Sequence, residues 1–118
     1  MKVLLIDDSG VMRKMITRAL RQSGVDVDSV AEASNGQEGV EALGKDSYDL
    51  IICDWNMPVM NGLEFVRKAR EFDETPIMML STEGTEDKIS EALEAGANGY
   101  LTKPFTPDKL EAKINSLV

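Results

Sequence analysis

Short apolar runs alternate with longer amphipathic stretches along the whole sequence, and this alternation restricts the possible folds more than any other feature. Runs this short are typical of strands rather than of buried helices. The second and fifth runs are less apolar than the others, as expected for strands at the edges of a sheet. The apolar runs cover residues 3–6, 29–33, 50–53, 77–80 and 99–101.

The stretches between these runs carry apolar residues at the i, i+3 and i+4 spacing of helices. Gly24 and Gly96 stand where the first and fourth helices should end. Thr106-Pro107 is a cap residue followed by proline and marks the start of the fifth. The apolar positions are Val11, Met12, Met15, Ile16, Ala19 and Leu20 in the first helix, Val40 and Leu43 in the second, Leu63, Val66 and Ala69 in the third with Phe65 beside them, Ile89, Ala92 and Leu93 in the fourth, and Leu110, Ile114 and Leu117 in the fifth.

Strands that alternate with helices in this way predict an α/β fold, a doubly wound parallel sheet with helices on both faces. The length of 118 residues fits a single domain that covers residues 1–118. In this architecture ligands bind beyond the carboxyl ends of the strands. The residues that follow the strands are therefore the candidates for function.

Acidic, hydroxyl and lysine side chains follow four of the predicted strands. Each has an ordinary explanation when it is taken alone, because Asp and Ser commonly cap helices or shape turns and most lysines are solvated. Their position at one common edge favours a shared site instead. They are Asp7 and Asp8 after the first strand, Asp54 after the third, Ser81 and Thr82 after the fourth, and Lys103 after the fifth.

Several carboxylates at one edge require a cation. Two carboxylates about 4 Å apart repel each other by roughly 4 kcal/mol at an effective dielectric constant of ~20. A divalent ion offsets this repulsion, and oxygen ligands select Mg²⁺, Mn²⁺ or Ca²⁺ over zinc. A lysine and a hydroxyl suit the oxygens of a phosphoryl group. The set predicts phosphoryl transfer with an aspartate nucleophile.

The composition excludes several other chemistries. The chain has no histidine, which removes Ser-His-Asp and Cys-His catalysis, histidine-containing zinc sites and a histidine phosphocarrier. Its one cysteine, Cys53, forms no internal disulfide, which agrees with a reducing compartment, and its place in a buried strand predicts a core residue.

The charge balance and the lack of a long apolar segment restrict the partners. The formal net charge is −8, which argues against nucleic acid. The densest basic stretch, Arg13, Lys14, Arg18 and Arg21, is spaced as the solvated outer face of a helix. No apolar run approaches the ~20 residues that span a bilayer, and the N-terminal run is too short for a signal peptide. We expect a cytoplasmic protein with no membrane partner.

Taken together, these motifs resemble those of the receiver domains of two-component response regulators, in their order and spacing and over the whole chain. Two further stretches, residues 54–58 (Asp-Trp-Asn-Met-Pro) and 96–100 (Gly-Ala-Asn-Gly-Tyr), are especially similar to the chemotaxis regulators of that family. The resemblance implies a flavodoxin-like receiver fold with five parallel strands in the order 2-1-3-4-5. The motifs that carry it are Asp7-Asp8, Asp54, Ser81-Thr82 and Lys103-Pro104-Phe105.

The resemblance also implies roles for the residues of the site. Asp54 would be the phosphoacceptor. Asp8 and Asp54 would bind Mg²⁺, or Mn²⁺, with the backbone carbonyl of Asn56, and Asp7 would act largely through water. Lys103 would hold the incoming phosphoryl group.

A second group of residues would control the response. Ser81 would be the switch hydroxyl and Tyr100 the aromatic residue that turns inward after it, although Tyr100 could also simply pack in an edge strand. Asn56 and Glu83 occupy positions that tune hydrolysis in this family. The Lys103–Pro104 peptide would be cis.

The implied function is signalling rather than the turnover of a separate substrate. A histidine kinase of the chemotaxis type would supply the phosphoryl group, and the surface of the fourth helix, fifth strand and fifth helix would bind a partner. The flagellar motor switch is the preferred target, with a phosphatase as a further partner and the receiver itself as a monomer. A phosphorelay intermediate or a regulator of another signalling protein is the alternative.

Two other classes remain as competing hypotheses. A phosphatase of the haloacid dehalogenase type would need a second acid where Asn56 stands, and an unphosphorylated binding module would not need the full acidic set. Trp55 is interpreted either as an exposed loop aromatic or as a contact for a partner.

Overall fold

Five parallel strands form one sheet in the order β2-β1-β3-β4-β5, with a helix after each strand. The computed structural model describes residues 1–118. The strand order and the alternation confirm the predicted fold, and the two less apolar strands do lie at the edges. The elements are β1 (Lys2–Ile6), α1 (Gly10–Gln22), β2 (Ser29–Ala33), α2 (Gly36–Lys45), β3 (Leu50–Cys53), α3 (Gly62–Ala69), β4 (Ile77–Ser81), α4 (Glu86–Ala95), β5 (Gly99–Thr102) and α5 (Pro107–Asn115).

The side chains of the strands point alternately to two cores, one on each face of the sheet. In β1, Val3 and Leu5 pack with α1 and α5, whereas Leu4 and Ile6 pack with α2, α3 and α4. Because β1, β3 and β4 are covered on both faces, their residues are buried without interruption. This explains why the sequence shows continuous apolar runs instead of an alternation.

Each helix begins at a side chain that caps it. The capping oxygen accepts a hydrogen bond from a backbone N–H in the first turn, which satisfies a donor that the helix itself leaves free. The caps are Ser9 for α1, Asn35 for α2, Asn61 for α3, Thr85 for α4 and the predicted Thr106 for α5.

The first helix is present as predicted, but its apolar face is narrower than the sequence indicated. Ile16, Ala19 and Leu20 are buried, whereas Val11 and Met15 are exposed. These two residues lie one turn apart on a neighbouring stripe, which no other element covers. Leu93 in α4 is likewise exposed, so helical spacing identified the helices more reliably than their buried faces.

Gly96 follows the last residue of α4, as the sequence predicted, and its backbone conformation favours glycine. Its φ of 123° is one that L side chains rarely adopt. A Cβ at this position would also collide with the side chain of Arg70. None of the helices is both long and apolar enough to cross a lipid bilayer.

Candidate functional site

The carboxyl ends of the strands bring the predicted site residues to one edge of the sheet. Asp7 directly follows β1 and Asp54 directly follows β3, and Ile6 and Cys53, the last residues of these strands, are paired in register. Ser81 is the last residue of β4. Lys103 follows β5, and its peptide bond to Pro104 is cis, as the resemblance implied.

Three carboxylates form the centre of this edge. Asp7, Asp8 and Asp54 each offer an oxygen, and these oxygens all lie within 4.8 Å of one another. Asp7 is buried, Asp54 is partly buried and Asp8 is exposed. A cluster that combines oxygen-only donors with one side open to solvent fits a hard cation such as Mg²⁺, which keeps several of its waters.

Lys103 reaches into the acidic cluster from β5. Its Nζ lies 3.0 Å from Oδ2 of Asp7 and 3.6 Å from Oδ2 of Asp54, and its side chain is only 10% exposed. The ammonium group therefore faces two of the three carboxylates at once. It compensates part of their charge while it stays within reach of any group bound to Asp54.

Asp54 experiences opposing electrostatic influences. Burial raises the pKa of its carboxyl group above the usual aspartate range, and the nearby Lys103 ammonium opposes this increase. The backbone N–H of Trp55 donates to Oδ1 at 2.7 Å and also favours the ionised form. The result is a carboxylate that is partly removed from water and fixed in orientation by the N–H of Trp55.

The loop after β1 is fixed by an arginine that the sequence analysis assigned to a solvated helix face. An Nη of Arg13 donates to the backbone carbonyl of Asp7 at 2.6 Å, and its Nε pairs with Glu32 at 2.8 Å. Ser9 donates its backbone N–H to Oδ1 of Asp7 at 2.9 Å. Arg13 therefore positions Asp7, a role that its helical spacing alone could not reveal.

Ser81 and Tyr100 lie together beside the acidic cluster. Ser81 is fully buried, and its hydroxyl accepts a hydrogen bond of 3.2 Å from the N–H of Glu83. Tyr100 is turned inward and buried, and its hydroxyl donates to the backbone carbonyl of Glu83. Burial raises the pKa of Tyr100, so the phenol stays protonated and able to donate.

Asn56 and Glu83, which the resemblance marks as residues that tune hydrolysis, are in direct contact. Nδ2 of Asn56 donates to Oε1 of Glu83 at 2.9 Å. This exposed bond joins the loop after β3 to the loop after β4. The sequence identified both positions, but their contact depends on the adjacency of β3 and β4 in the sheet.

Trp55 is neither of the two things that the sequence analysis offered. It is 5% exposed and belongs to the core on the α2–α4 face, so it is not an exposed loop aromatic or a free contact for a partner. The ammonium group of Lys88, in the first turn of α4, lies over its ring at 4.8 Å from the ring centroid. The sequence analysis did not predict this contact, because the ring comes from the loop after β3 and the cation from α4.

The profile of the response regulator receiver domain matches residues 3–115. The chain belongs to the response regulator receiver family. Its relatives place it among the CheY-like chemotaxis response regulators, which are signalling proteins without turnover of a separate substrate. A chemotaxis protein CheY homolog from Campylobacter jejuni is 43% identical over 122 residues, which cover 100% of this chain and 92% of that protein.

Solved receiver structures have the same fold. The chemotaxis protein CheY4 of Vibrio cholerae is 39% identical with a TM-score of 0.83, and the alignment covers 99% of this receiver and 98% of that chain. A complex of CheX with CheY, BeF3 and Mg²⁺ from Borrelia burgdorferi gives 27% identity and a TM-score of 0.87, with coverage of 98% and 87%. The predicted family and fold are confirmed.

Proposed function

We propose that residues 1–118 act as a single receiver domain that accepts a phosphoryl group on Asp54 from a histidine kinase. The observation that carries this proposal is the meeting of three carboxylates and one mostly buried lysine at the edge of the sheet. A carboxylate oxygen of Asp54 attacks phosphorus in phosphohistidine. The P–N bond breaks, and its electron pair leaves with the imidazole nitrogen. An aspartyl phosphate is formed.

Mg²⁺ is the proposed cofactor of this transfer, with Mn²⁺ as a substitute. Asp8, Asp54 and the backbone carbonyl of Asn56 would hold it, and Asp7 would act largely through water. The ion supplies positive charge that offsets the negative charge of the carboxylates and the phosphoryl oxygens. Because the donors are oxygens at the open end of a cluster, they suit this ion better than zinc.

Lys103 is the proposed ligand of the transferred group. It already contacts Asp7 and Asp54, so an incoming phosphoryl group on Asp54 lies within reach of its ammonium group. A lysine acts here as a point charge that needs no fixed orientation. Asp7, fixed by Arg13, keeps the lysine directed into the site in the absence of phosphate.

Asn56 and Glu83 would set the lifetime of the aspartyl phosphate. Their side chains are hydrogen-bonded to each other at the surface, and we propose that an attacking water approaches Asp54 past this pair. A change in either residue alters the access of that water without altering the phosphoacceptor.

The output would be a change in the surface formed by α4, β5 and α5. Ser81 moves to donate to a phosphoryl oxygen, and this movement favours the inward position of Tyr100 over the outward one. A change of population from 1:99 to 99:1 needs roughly 5.5 kcal/mol of preference for one conformation. We propose a protein as target, with the flagellar motor switch as the first candidate, and the CheX–CheY complex is a precedent for a protein partner of a similar receiver.

Labelling with a small phosphodonor tests this function. The protein is incubated with acetyl phosphate, with and without Mg²⁺, and its intact mass is followed over time. We expect one Mg²⁺-dependent phosphoryl group on the wild type and on the control Asp26→Asn, whose exposed side chain lies before β2. The variant Asp54→Asn should gain none. Labelling that does not depend on Mg²⁺ would contradict the proposed cofactor.

A further inference from the structure

Lys88 occupies a place in α4 that is unusual for a cation. It lies in the first turn of the helix, beside Glu86 and Asp87, where the helix dipole favours acidic side chains. Like most surface lysines of the chain, it forms no ion pair within 4.0 Å. Its position is accounted for instead by the ring of Trp55, 4.8 Å away.

Trp55 is firmly tied to the phosphoacceptor. Its side chain is buried in the core, and its backbone N–H donates to Oδ1 of Asp54 at 2.7 Å. Its carbonyl accepts a hydrogen bond of 2.8 Å from Gly62 at the start of α3. The indole is therefore a fixed surface, and a group that binds to it is fixed relative to Asp54.

The segment that carries Lys88 is also tied to the same side of the molecule through Glu83. The carboxylate of Glu83 accepts from Asn56, and its backbone carbonyl accepts from the hydroxyl of the inward Tyr100. The β4–α4 loop and the first turn of α4 thus have three attachments. The third is the contact of Lys88 with Trp55. The motifs of the family include the residues of the two hydrogen bonds but not Lys88.

We propose that Lys88 is a positioning residue that holds the first turn of α4 against Trp55 and thereby favours the conformation with Tyr100 inward. This inference rests on the proposed phosphorylation of Asp54. Because the indole is next to Asp54 and the cation is on α4, their contact links the phosphoacceptor loop directly to the proposed output surface. A group on Asp54 that favours the inward tyrosine then also strengthens the contact between Lys88 and Trp55.

The size of the effect follows from the nature of the contact. A partly desolvated cation over an indole changes an equilibrium by a factor between about two and thirty. Loss of the charge at Lys88 should lower the ratio of inward to outward Tyr100 by that factor. If the binding of a phosphoryl analogue requires the inward conformation, its dissociation constant should increase by up to the same factor.

The test measures the affinity for beryllofluoride with Mg²⁺ by calorimetry, together with the ¹⁹F NMR signal of Tyr100 in fluorotyrosine-labelled protein. A Tyr48→Phe version assigns the signal. Lys88→Met keeps the length of the side chain without the charge, Lys88→Arg keeps the cation, and Lys14→Met is the control at an exposed lysine of α1. For Lys88→Met only, we expect weaker binding, by up to about thirtyfold, and a shift of Tyr100 toward the outward conformation.

A double-mutant comparison ties the effect to the ring. In a Trp55→Leu background the substitution Lys88→Met should have no further effect on the affinity. If Trp55→Leu unfolds the protein, Trp55→Phe serves as the background instead, and there the effect of Lys88→Met should be smaller than in the wild type. Unchanged affinity and an unchanged Tyr100 signal in Lys88→Met, an equal loss in Lys88→Arg, or an undiminished effect without the indole would each overturn the role of Lys88. Failure of the wild type to bind beryllofluoride would instead overturn the proposed function.

Discussion

Asp54 combines a partly buried carboxylate with neighbours of both signs. Burial and Asp7 raise its pKa, whereas Lys103 and the N–H of Trp55 lower it, and burial has the larger effect. Because the folded protein disfavours its charge, the ionised carboxylate of Asp54 does not stabilise the fold at neutral pH. Such perturbed groups are typical of functional sites, and a bound cation would compensate the charge of this one.

The pH dependence of stability should reveal this cost. Asp54 keeps its proton to a higher pH in the folded protein than in the unfolded chain. The proton therefore stabilises the folded protein at low pH, and this stabilisation is lost as the pH rises through the raised pKa. We expect Asp54→Asn to be more stable than the wild type near neutral pH in Mg²⁺-free buffer. The difference in the free energy of unfolding between the two proteins should become smaller at pH values below the usual pKa of aspartate. Urea unfolding at a series of pH values measures it.

The loss of the charge at Asp54 should not leave Lys103 without an ion pair, because Lys103 also pairs with Asp7, 3.0 Å away. The gain in stability should therefore remain. Equal stability of the two proteins at all pH values would show that the surroundings of Asp54 do not disfavour its charge.

Most of the candidate site residues could be predicted from the sequence, because the position of a residue at the end of a strand determines its place at the edge of the sheet. Arg13 and Lys88 could not, since each acts on a residue of another element. Trp55 was interpreted wrongly because a loop position next to an aspartate does not reveal whether the ring turns toward the core. Such contacts depend on the packing of helices, which periodicity does not specify.

The loop between β3 and α3 is the element whose geometry most directly positions Asp54. At Gly62, the first residue of α3, the backbone of this loop returns so closely that an added Cβ would contact the carbonyl oxygen of Asp54 and lie 2.9 Å from Cα of Trp55. These are backbone atoms, which cannot move aside as a flexible side chain can. A glycine is therefore required at this position.

A pair of glycine substitutions tests this requirement. Gly62→Ala should destabilise the protein by about 2 kcal/mol or more, because the loop and helix must separate. Gly44→Ala in α2 is the control, since nothing lies within 4 Å of its added Cβ, and it should stabilise the helix by up to about 1 kcal/mol. Thermal and urea unfolding of both variants provide the measurement. A neutral Gly62→Ala would contradict the close approach.

At the level of elements, the sequence predicted all five strands and all five helices in order. It was less successful for the buried faces of α1 and α4, where Val11, Met15 and Leu93 are exposed. A period of 3.6 residues identifies a helix, but the width of its buried face depends on which neighbours cover it. That information lies in the strand order, which came from the resemblance rather than from the pattern.

Across the whole molecule, the chain leaves β1 for one edge of the sheet and returns to β3 on the other side of β1. The crevice at this reversal is where parallel α/β sheets bind ligands. Asp7 and Asp54 follow the two strands that flank it. The topology thus brings together residues that lie far apart in the chain, and a cation at the cluster should stabilise the fold as a unit.

Thermal unfolding with Mg²⁺ measures this stabilisation. A free Mg²⁺ concentration ten times the dissociation constant should add about 1.4 kcal/mol to the free energy of unfolding of the wild type, because only the folded cluster binds the ion. Asp8→Asn should lose most of the increase, whereas Asp26→Asn should keep it. An equal increase in all three proteins would place the ion elsewhere.

The most direct test of the central claim is to locate the phosphoryl group. Borohydride reduces an acyl phosphate to an alcohol, so treatment of the labelled protein converts a phosphorylated aspartate into homoserine, which peptide mass spectrometry identifies by position. We predict homoserine at position 54 alone, only after incubation with acetyl phosphate and Mg²⁺. Homoserine at position 7 or 8, or none in protein that carries the added phosphoryl mass, would contradict the assignment of Asp54 as the phosphoacceptor.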